Sequence, residues 1–243
     1  MKEISIKGDI ISNDMKWIYN WLGYESTCPK DVCNALNEAA GDEIIIKINS
    51  GGGSINAASE IYTEIRSYTG KISSKILGIA ASAASVISTA CYCEMSPTAL
   101  FMMHNVSSGG VSGDHNDMEH QAEILKTADK TIAAAYVAKT GKSEKEILDL
   151  MEQETWVDAN RALELGLIDK IMFDGTNSMN DFSNMSNMLK SGMVNAIHRI
   201  TIPENMIEKL MKNQQNINAD IFRAEKKKLE ARSRLLKLGG NEK

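Results

Sequence analysis

Four isoleucines lie at positions 44, 45, 46 and 48, and three consecutive glycines follow at 51–53. β-Branched side chains favour strands, and a run without regular polar alternation is typical of a parallel strand buried on both faces. The glycines end this strand, and the apolar spacing of Ile55, Ala58 and Ile61 predicts a helix over 54–68 with Ser54 as its N-cap. Strand, glycine turn and helix in this order constrain the chain to a βαβ type of fold.

The same alternation continues to residue 172. The predicted strands are 4–11, 44–48, 71–79, 99–104 and 167–172, and the predicted helices are 29–40, 54–68, 82–92, 114–140, 143–151 and 159–165. Strands that alternate with helices predict an α/β domain built on a mostly parallel sheet.

The composition changes near residue 174. Residues 174–202 are rich in Asn, Ser and Met without a clear period, and they are interpreted as a polar linker. Residues 203–243 regain a helical pattern, and their second half combines many Lys, Arg and Glu residues with spaced leucines. We therefore expect an α/β domain over 1–173, a linker over 174–202 and a helical C-terminal extension over 203–243.

Composition argues against several classes of protein. A net charge of -5 and an aromatic content of 5% do not fit a nucleic-acid-binding surface. The first residues have no apolar core of the kind found in signal peptides, and the longest apolar stretch, 76–93, is interrupted by glycine and hydroxyl residues. The four cysteines lack the C-x-x-C spacing of metal sites. We expect reduced thiols, no metal, no membrane span and a cytoplasmic location.

Three features are candidates for a role in catalysis, and each also has a plainer structural explanation. Gly51–Gly53 can expose N–H groups at a helix start, or it can be a turn without function. Ser82 lies among small residues at a strand-to-helix junction, where it is either a nucleophile or a helix N-cap. His104 ends a predicted strand, and a lone histidine is usually structural.

Together these features are more informative than each alone. They follow three successive predicted strands, and the carboxyl ends of parallel strands lie at one edge of a sheet. This arrangement would bring an oxyanion donor, a nucleophile and a base to one place.

Four segments in the first 172 residues carry a more specific pattern. They are Ile48-Asn49-Ser50-Gly51-Gly52-Gly53-Ser54, Gly78-x-Ala80-Ala81-Ser82, Met102-Met103-His104, and Thr155-Trp156-Val157-Asp158-Ala159 with the later Ala162-Leu163-Glu164-Leu165-Gly166-Leu167-Ile168-Asp169. In this order they resemble the signature segments of the Clp protease proteolytic subunit. The resemblance covers roughly residues 4–172. It implies the stacked βαβ spiral shared by Clp (ClpP) subunits and crotonases, with residues 114–140 as the long handle helix.

The resemblance also implies a serine endopeptidase mechanism. The family triad runs Ser, His, Asp along the chain, and these positions match Ser82 as nucleophile, His104 as base and Glu154 as orienting acid. Asp158 is the rival for the acid. The backbone N–H groups of Gly52 and Ala83 would form the oxyanion hole.

Substrate and partners follow from the same resemblance. An extended protein or peptide substrate would bind by strand addition beside Gly53, Ser54, Asn105 and Val106. The family implies a homo-oligomeric ring, heptameric or double heptameric, and no cofactor. The chain shows no counterpart of the axial segment that contacts the family's ATPase, so the resemblance does not carry that partnership over.

This sequence also departs from the housekeeping subunit. Gly51 replaces a usual Pro, Ala83 replaces a usual Met, and Asn105-Val106 replace Gln-Pro. Together with the C-terminal extension, the start of the chain looks more like Clp-like proteases of phages and prophages, which mature capsids, so capsid proteins are possible partners.

Two other functions remain compatible with parts of the pattern. A crotonase-like acyl-CoA enzyme would use the same oxyanion geometry, but Ser82 with His104 argues against it. A non-catalytic phage assembly or scaffold protein would keep the site as a relict and use the basic arm 223–237 to bind a partner.

Overall fold

The computed structural model describes residues 2–173. Within them the strands are β1 (Lys2–Ile10), β2 (Ser26–Thr27), β3 (Ile44–Gly53), β4 (Ile72–Ala81), β5 (Tyr92–Met95), β6 (Leu100–Met103), β7 (Thr155–Val157) and β8 (Lys170–Ile171). The helices are α1 (Lys16–Leu22), α2 (Pro29–Ala39), α3 (Ile55–Ser67), α4 (Ala83–Ser88), α5 (His115–Thr140), α6 (Glu144–Glu152) and α7 (Ala159–Glu164), with a 3-10 turn at Asn13–Met15. The predicted linker 174–202 and extension 203–243 lie outside the described residues.

One sheet organises the described residues. Its main path runs β2-β1-β3-β4-β5-β8, and β6 joins it through β4. These pairs are all parallel, whereas β6 and β7 pair antiparallel. The predicted α/β fold with a mostly parallel sheet is thus confirmed.

Strand β3 is the centre of the core, but its burial is one-sided. Ile44, Ile46 and Ile48 are fully buried, whereas Ile45 and Lys47 on the other face are only partly buried. The expectation of a strand buried on both faces was wrong, because this second face carries ion-paired residues. Lys47 Nζ lies 2.6 Å from a carboxylate oxygen of Glu3 on β1.

Strand β4 changes partners along its length. Its first half pairs with β5, and its last residues, 79–81, pair with β6. At the change, the Asn49 side-chain oxygen accepts the N–H of Ile79 at 3.2 Å. A Cβ at Gly78 would lie 2.5 Å from that same oxygen, so a larger residue there would displace the Asn49 side chain from this hydrogen bond. The last residues of β4 therefore lie between β3 and β6, and Ser82 follows directly after them.

Some elements differ from the prediction. The helix predicted over 82–92 ends at Ser88, and the chain then forms β5. Small and apolar residues in this stretch fit a buried helix and a short strand equally well, so periodicity could not separate them. Helix α1 was missed because it has no buried residue and therefore no apolar stripe facing the core. No helix within 2–173 is both long and apolar enough to span a membrane.

Candidate active site

Ser82 occupies a strained turn between β4 and α4. Its φ and ψ are 53° and −125°, a region that a residue with a side chain rarely adopts and that marks functional turns. Its N–H donates to the Met102 carbonyl at 3.0 Å, which ties the turn to β6. The Ser82 hydroxyl makes no capping hydrogen bond to α4. Ser82 therefore stands at the N-cap position without acting as a side-chain cap.

His104 lies directly after β6 and meets the Ser82 hydroxyl. The parallel register pairs Ala81 of β4 with Met102 of β6. The segments that follow these two strands therefore leave the sheet side by side. His104 Nε2 is 2.8 Å from Ser82 Oγ, a normal hydrogen-bond length. Both residues are partly buried, so substrate can reach the pair while much of its surface is shielded from water. A nitrogen at this distance can take the hydroxyl proton.

Glu154 directly precedes β7, which pairs antiparallel with β6. Met103 of β6 pairs with Thr155 of β7, so His104 and Glu154 each lie one residue beyond the last paired position. Glu154 is exposed, with a φ of 48°, and one of its carboxylate oxygens accepts the Trp156 indole N–H at 3.3 Å.

Asp158, the rival acid, has a different partner. Its carboxylate accepts the Arg161 backbone N–H at 2.8 Å as the N-cap of α7. A carboxylate engaged in this way stabilises a helix start. Asp158 is thus engaged in capping α7.

The glycine loop packs directly against the Ser82 turn. A Cβ at Gly52 would lie 2.7 Å from the Ala81 oxygen and 3.0 Å from the Ala83 nitrogen. The Gly52 N–H donates to the Ser50 hydroxyl at 3.1 Å, so one of the two predicted oxyanion donors has a partner within the loop.

The predicted substrate-binding residues lie on both sides of the pair. A Cβ at Gly53 would overlap the Ile10 carbonyl, 2.2 Å away, so Gly53 packs tightly against β1. The Ser54 hydroxyl caps α3, and its N–H donates to that Ile10 carbonyl at 2.7 Å. The predicted N-cap role of Ser54 is therefore confirmed. Asn105 and Val106 follow His104 directly and are partly buried.

Two contacts of the site were not anticipated. The Val106 N–H donates to the Asp129 carboxylate of α5 at 2.6 Å. The Ser85 hydroxyl joins the Ser82 carbonyl to Tyr136 of α5. Nothing in the sequence pattern singled out Asp129, which is partly buried in the structure. Nothing in the sequence pattern singled out Ser85 or Tyr136 as polar partners.

A cavity of about 470 Å³ opens between the start of α3 and the middle of α5. It begins at Ile55, directly after the glycine loop, and Ile124 and Ile132 line it from α5. Its wall is mainly apolar, with His120 and Glu123 also contributing. Such a cavity suits an apolar side chain of an extended chain bound beside the loop. Among residues 2–173, no group of three His, Cys, Asp or Glu residues is arranged to hold a metal ion.

Comparisons of the sequence with protein families and with individual proteins point to one family. Residues 27–175 match the family model described as Clp protease. ATP-dependent Clp protease proteolytic subunit 1 of Chlamydia trachomatis is 36% identical over 141 residues, which cover 55% of this chain and 71% of that protein. The corresponding subunit of Protochlamydia amoebophila is 34% identical over 137 residues, covering 54% and 66%.

The fold comparison agrees. A point mutant of ClpP1 from Listeria monocytogenes matches with a TM-score of 0.57 at 21% identity, covering 70% of this chain and 90% of that one. At this identity the match shows the shared ClpP-like fold. The sequence matches go further, since both the family model and the curated relatives are Clp proteases. The chain therefore belongs to the Clp protease family of serine-type peptidases.

Proposed function

We propose that Ser82, His104 and Glu154 form the triad with which this protein hydrolyses peptide bonds. The observation that carries the proposal is the 2.8 Å contact between Ser82 Oγ and His104 Nε2, made by a serine in a strained turn. Ser82 Oγ attacks the substrate carbonyl carbon while its proton passes to His104 Nε2. When the C–N bond breaks, that proton goes to the leaving amine, and water then releases the acyl group in the same way.

Glu154 has the role of orienting the imidazole. A carboxylate opposite His104 favours the tautomer with the proton on Nδ1 and stabilises the cation formed during attack. Glu154 reaches one methylene further than the family's usual Asp, which suits a position on an exposed strand end.

The Ala83 N–H is the first oxyanion donor. Ala83 is the first residue of α4, and N–H groups of a helix's first turn have no partner within the helix. Gly52 is the second proposed donor, and its N–H must leave Ser50 Oγ to reach the oxyanion. Two such donors stabilise the charge that develops only in the transition state.

Substrate would bind as an extended chain beside Gly53 and Val106, with one apolar side chain in the cavity next to α3.

We propose that residues 1–173 form this peptidase domain, followed by the linker 174–202 and the helical extension 203–243. As a finer proposal, the protein is a phage-type Clp protease that works as a cytoplasmic homo-oligomeric ring and matures capsid proteins. A Clp ATPase partner is not part of the proposal.

The test is labelling with a fluorophosphonate probe, followed by mass spectrometry of the modified residue. We expect modification at Ser82 in the full chain, and none in Ser82→Ala. His104→Ala should lose labelling as well, because the hydroxyl then has no base. Absence of labelling in the wild-type chain in every oligomeric state would contradict the proposal and favour an assembly role.

A further inference from the structure

The carbonyl of Ser82 is held by three donors. It accepts the backbone N–H of Ser85 at 3.0 Å and that of Val86 at 3.3 Å. It also accepts the Ser85 hydroxyl at 2.6 Å. The first two bonds belong to ordinary helix geometry. The third bond is donated by the Ser85 side chain, which also contacts a residue outside α4.

The Ser85 hydroxyl is itself bonded to Tyr136 of α5. The two oxygens are 2.7 Å apart, and Ser85 and Tyr136 are 0% and 1% exposed. The Ser82 carbonyl can only accept, so the single proton of Ser85 points to it, and Tyr136 must donate to Ser85. Burial raises the pKa of the Tyr136 phenol, which keeps that proton in place. A buried chain of hydrogen bonds therefore runs from the Tyr136 hydroxyl through the Ser85 hydroxyl to the Ser82 carbonyl.

This hydrogen-bond chain ends on the peptide group that joins the Ser82 carbonyl to the Ala83 N–H. In a planar trans peptide the C=O of Ser82 and the N–H of Ala83 point in opposite directions. Fixing the oxygen therefore fixes the direction of the proton. Hydrogen bonds accepted by a carbonyl also polarise its amide and strengthen the N–H as a donor. Both effects act on the proposed oxyanion donor without touching the substrate.

We propose that Tyr136 and Ser85 are positioning residues that hold the Ser82–Ala83 peptide group in its oxyanion-binding orientation. The inference rests on the proposed function, in which Ser82 is the nucleophile and Ala83 supplies the donor. It assigns to the last third of α5 a role in the chemical step, in addition to its place in the core.

The adjacent turn of α4 supplies a matched control. The Ser88 hydroxyl is fully buried and donates to the Ser85 carbonyl at 2.7 Å, with the same three-residue spacing as Ser85 to Ser82. Ser88→Ala removes a buried hydroxyl of the same type without touching the Ser82 carbonyl. Tyr136→Phe removes one oxygen and keeps the ring, so the core packing is retained.

The experiment measures fluorophosphonate labelling of the full chain as a function of probe concentration. In Tyr136→Phe and Ser85→Ala we expect the maximal labelling rate to fall about three- to tenfold, the effect of one lost hydrogen bond. The half-saturating probe concentration should stay unchanged, because the oxyanion forms only in the transition state. Ser88→Ala should keep the wild-type rate, with circular dichroism confirming that each variant is folded.

The outcomes separate this inference from the proposed function. Wild-type labelling at Ser82 with unchanged maximal rates in Tyr136→Phe and Ser85→Ala would overturn the inference alone. An equal loss of rate in Ser88→Ala would also overturn it, since any buried hydroxyl would then have the same effect. A wild-type chain that is not labelled at Ser82 would overturn the proposed function and this inference with it.

Discussion

Gly52 is the residue of the glycine loop that lies against the nucleophile turn. A Cβ there would come within 2.8 Å of the Ser82 Cβ, and the φ of Gly52 is 106°. We expect Gly52→Ala to slow Ser82 labelling at least about 100-fold, because displacement of a reacting group by about 1 Å has that effect. Labelling kinetics and thermal melting of the same preparation measure both consequences.

Gly41 provides the comparison for this variant. Its φ is 93°, but nothing lies within 4 Å of a Cβ added there. Gly41→Ala should lower the free energy of unfolding by about 1–2 kcal/mol through backbone strain alone. Its labelling rate should equal that of the wild type, and equal losses in the two variants would refute the special role of Gly52.

The two candidate acids can be separated by removing one charge at a time. Glu154→Gln should lower the labelling rate by about 10²–10⁴, because an amide cannot stabilise the imidazolium in the same way. Asp158→Asn should leave the rate unchanged, since Asn caps helices as well as Asp does. The reverse pattern in the same assay would transfer the role to Asp158.

The contrast between these residues shows what a sequence reveals about a site. Ser82 and His104 follow strands whose pattern is visible, so their convergence could be predicted, and the structure does bring them together. Asp129 and Tyr136 act through hydrogen bonds to residues far away along the chain, and such bonds leave no local pattern in the sequence. Ser50 was also missed, because its hydroxyl acts on a backbone group two residues away.

Helix α5 touches both halves of the site. Asp129 bonds the loop after His104, and Tyr136 reaches the turn at Ser82 through Ser85. The two residues are seven positions apart, about two helical turns, so they lie on one side of the helix. A single rigid element therefore sets the separation of the nucleophile turn from the histidine loop.

Asp129 gives a prediction at this scale. Asp129→Ala leaves the Val106 N–H without its acceptor, and we expect labelling of Ser82 to slow about three- to tenfold. Asp129→Asn keeps an acceptor oxygen and should restore most of the rate. Glu119→Ala removes an exposed acid from the same helix and should have no effect. A slow Asp129→Asn variant would show that charge, rather than the hydrogen bond, matters.

At the scale of the whole molecule, α5 also presents apolar surface. Its buried residues begin only at Ile132, whereas Met118 near its start is 38% exposed and Val111 just before it is 41% exposed. Contiguous exposed apolar surface marks contacts between subunits, and we propose that Met118 and Val111 belong to such a contact.

The corresponding prediction concerns assembly. Met118→Lys combined with Val111→Lys should shift the protein to smaller species in light scattering after size exclusion. Leu163→Lys, on α7, changes a residue that is 40% exposed and should leave the mass unchanged. A shift with Leu163→Lys, or none with the Met118 and Val111 double variant, would place the subunit contact elsewhere.

The order of helices and strands along the chain was more predictable than the pairing of the short strands. Long periodic stretches such as α3 and α5 were predicted within one residue at most ends, because their apolar faces repeat several times. The pairing of β7 with β6 was not predicted, since Thr155–Val157 is too short to show a period. The proposed placement of Glu154 beside His104 depends on that pairing, so the acid could be assigned from the sequence only through the family resemblance.

The antiparallel β6–β7 pair has a consequence for the newly made chain. Glu154 is synthesised 50 residues after His104, which takes a few seconds at about 5–20 residues per second. Throughout that interval Ser82 and His104 are already made, but the carboxylate is not. With Glu154 as the orienting acid, the nascent peptidase lacks full activity during this interval, even though its nucleophile and its base have already been made.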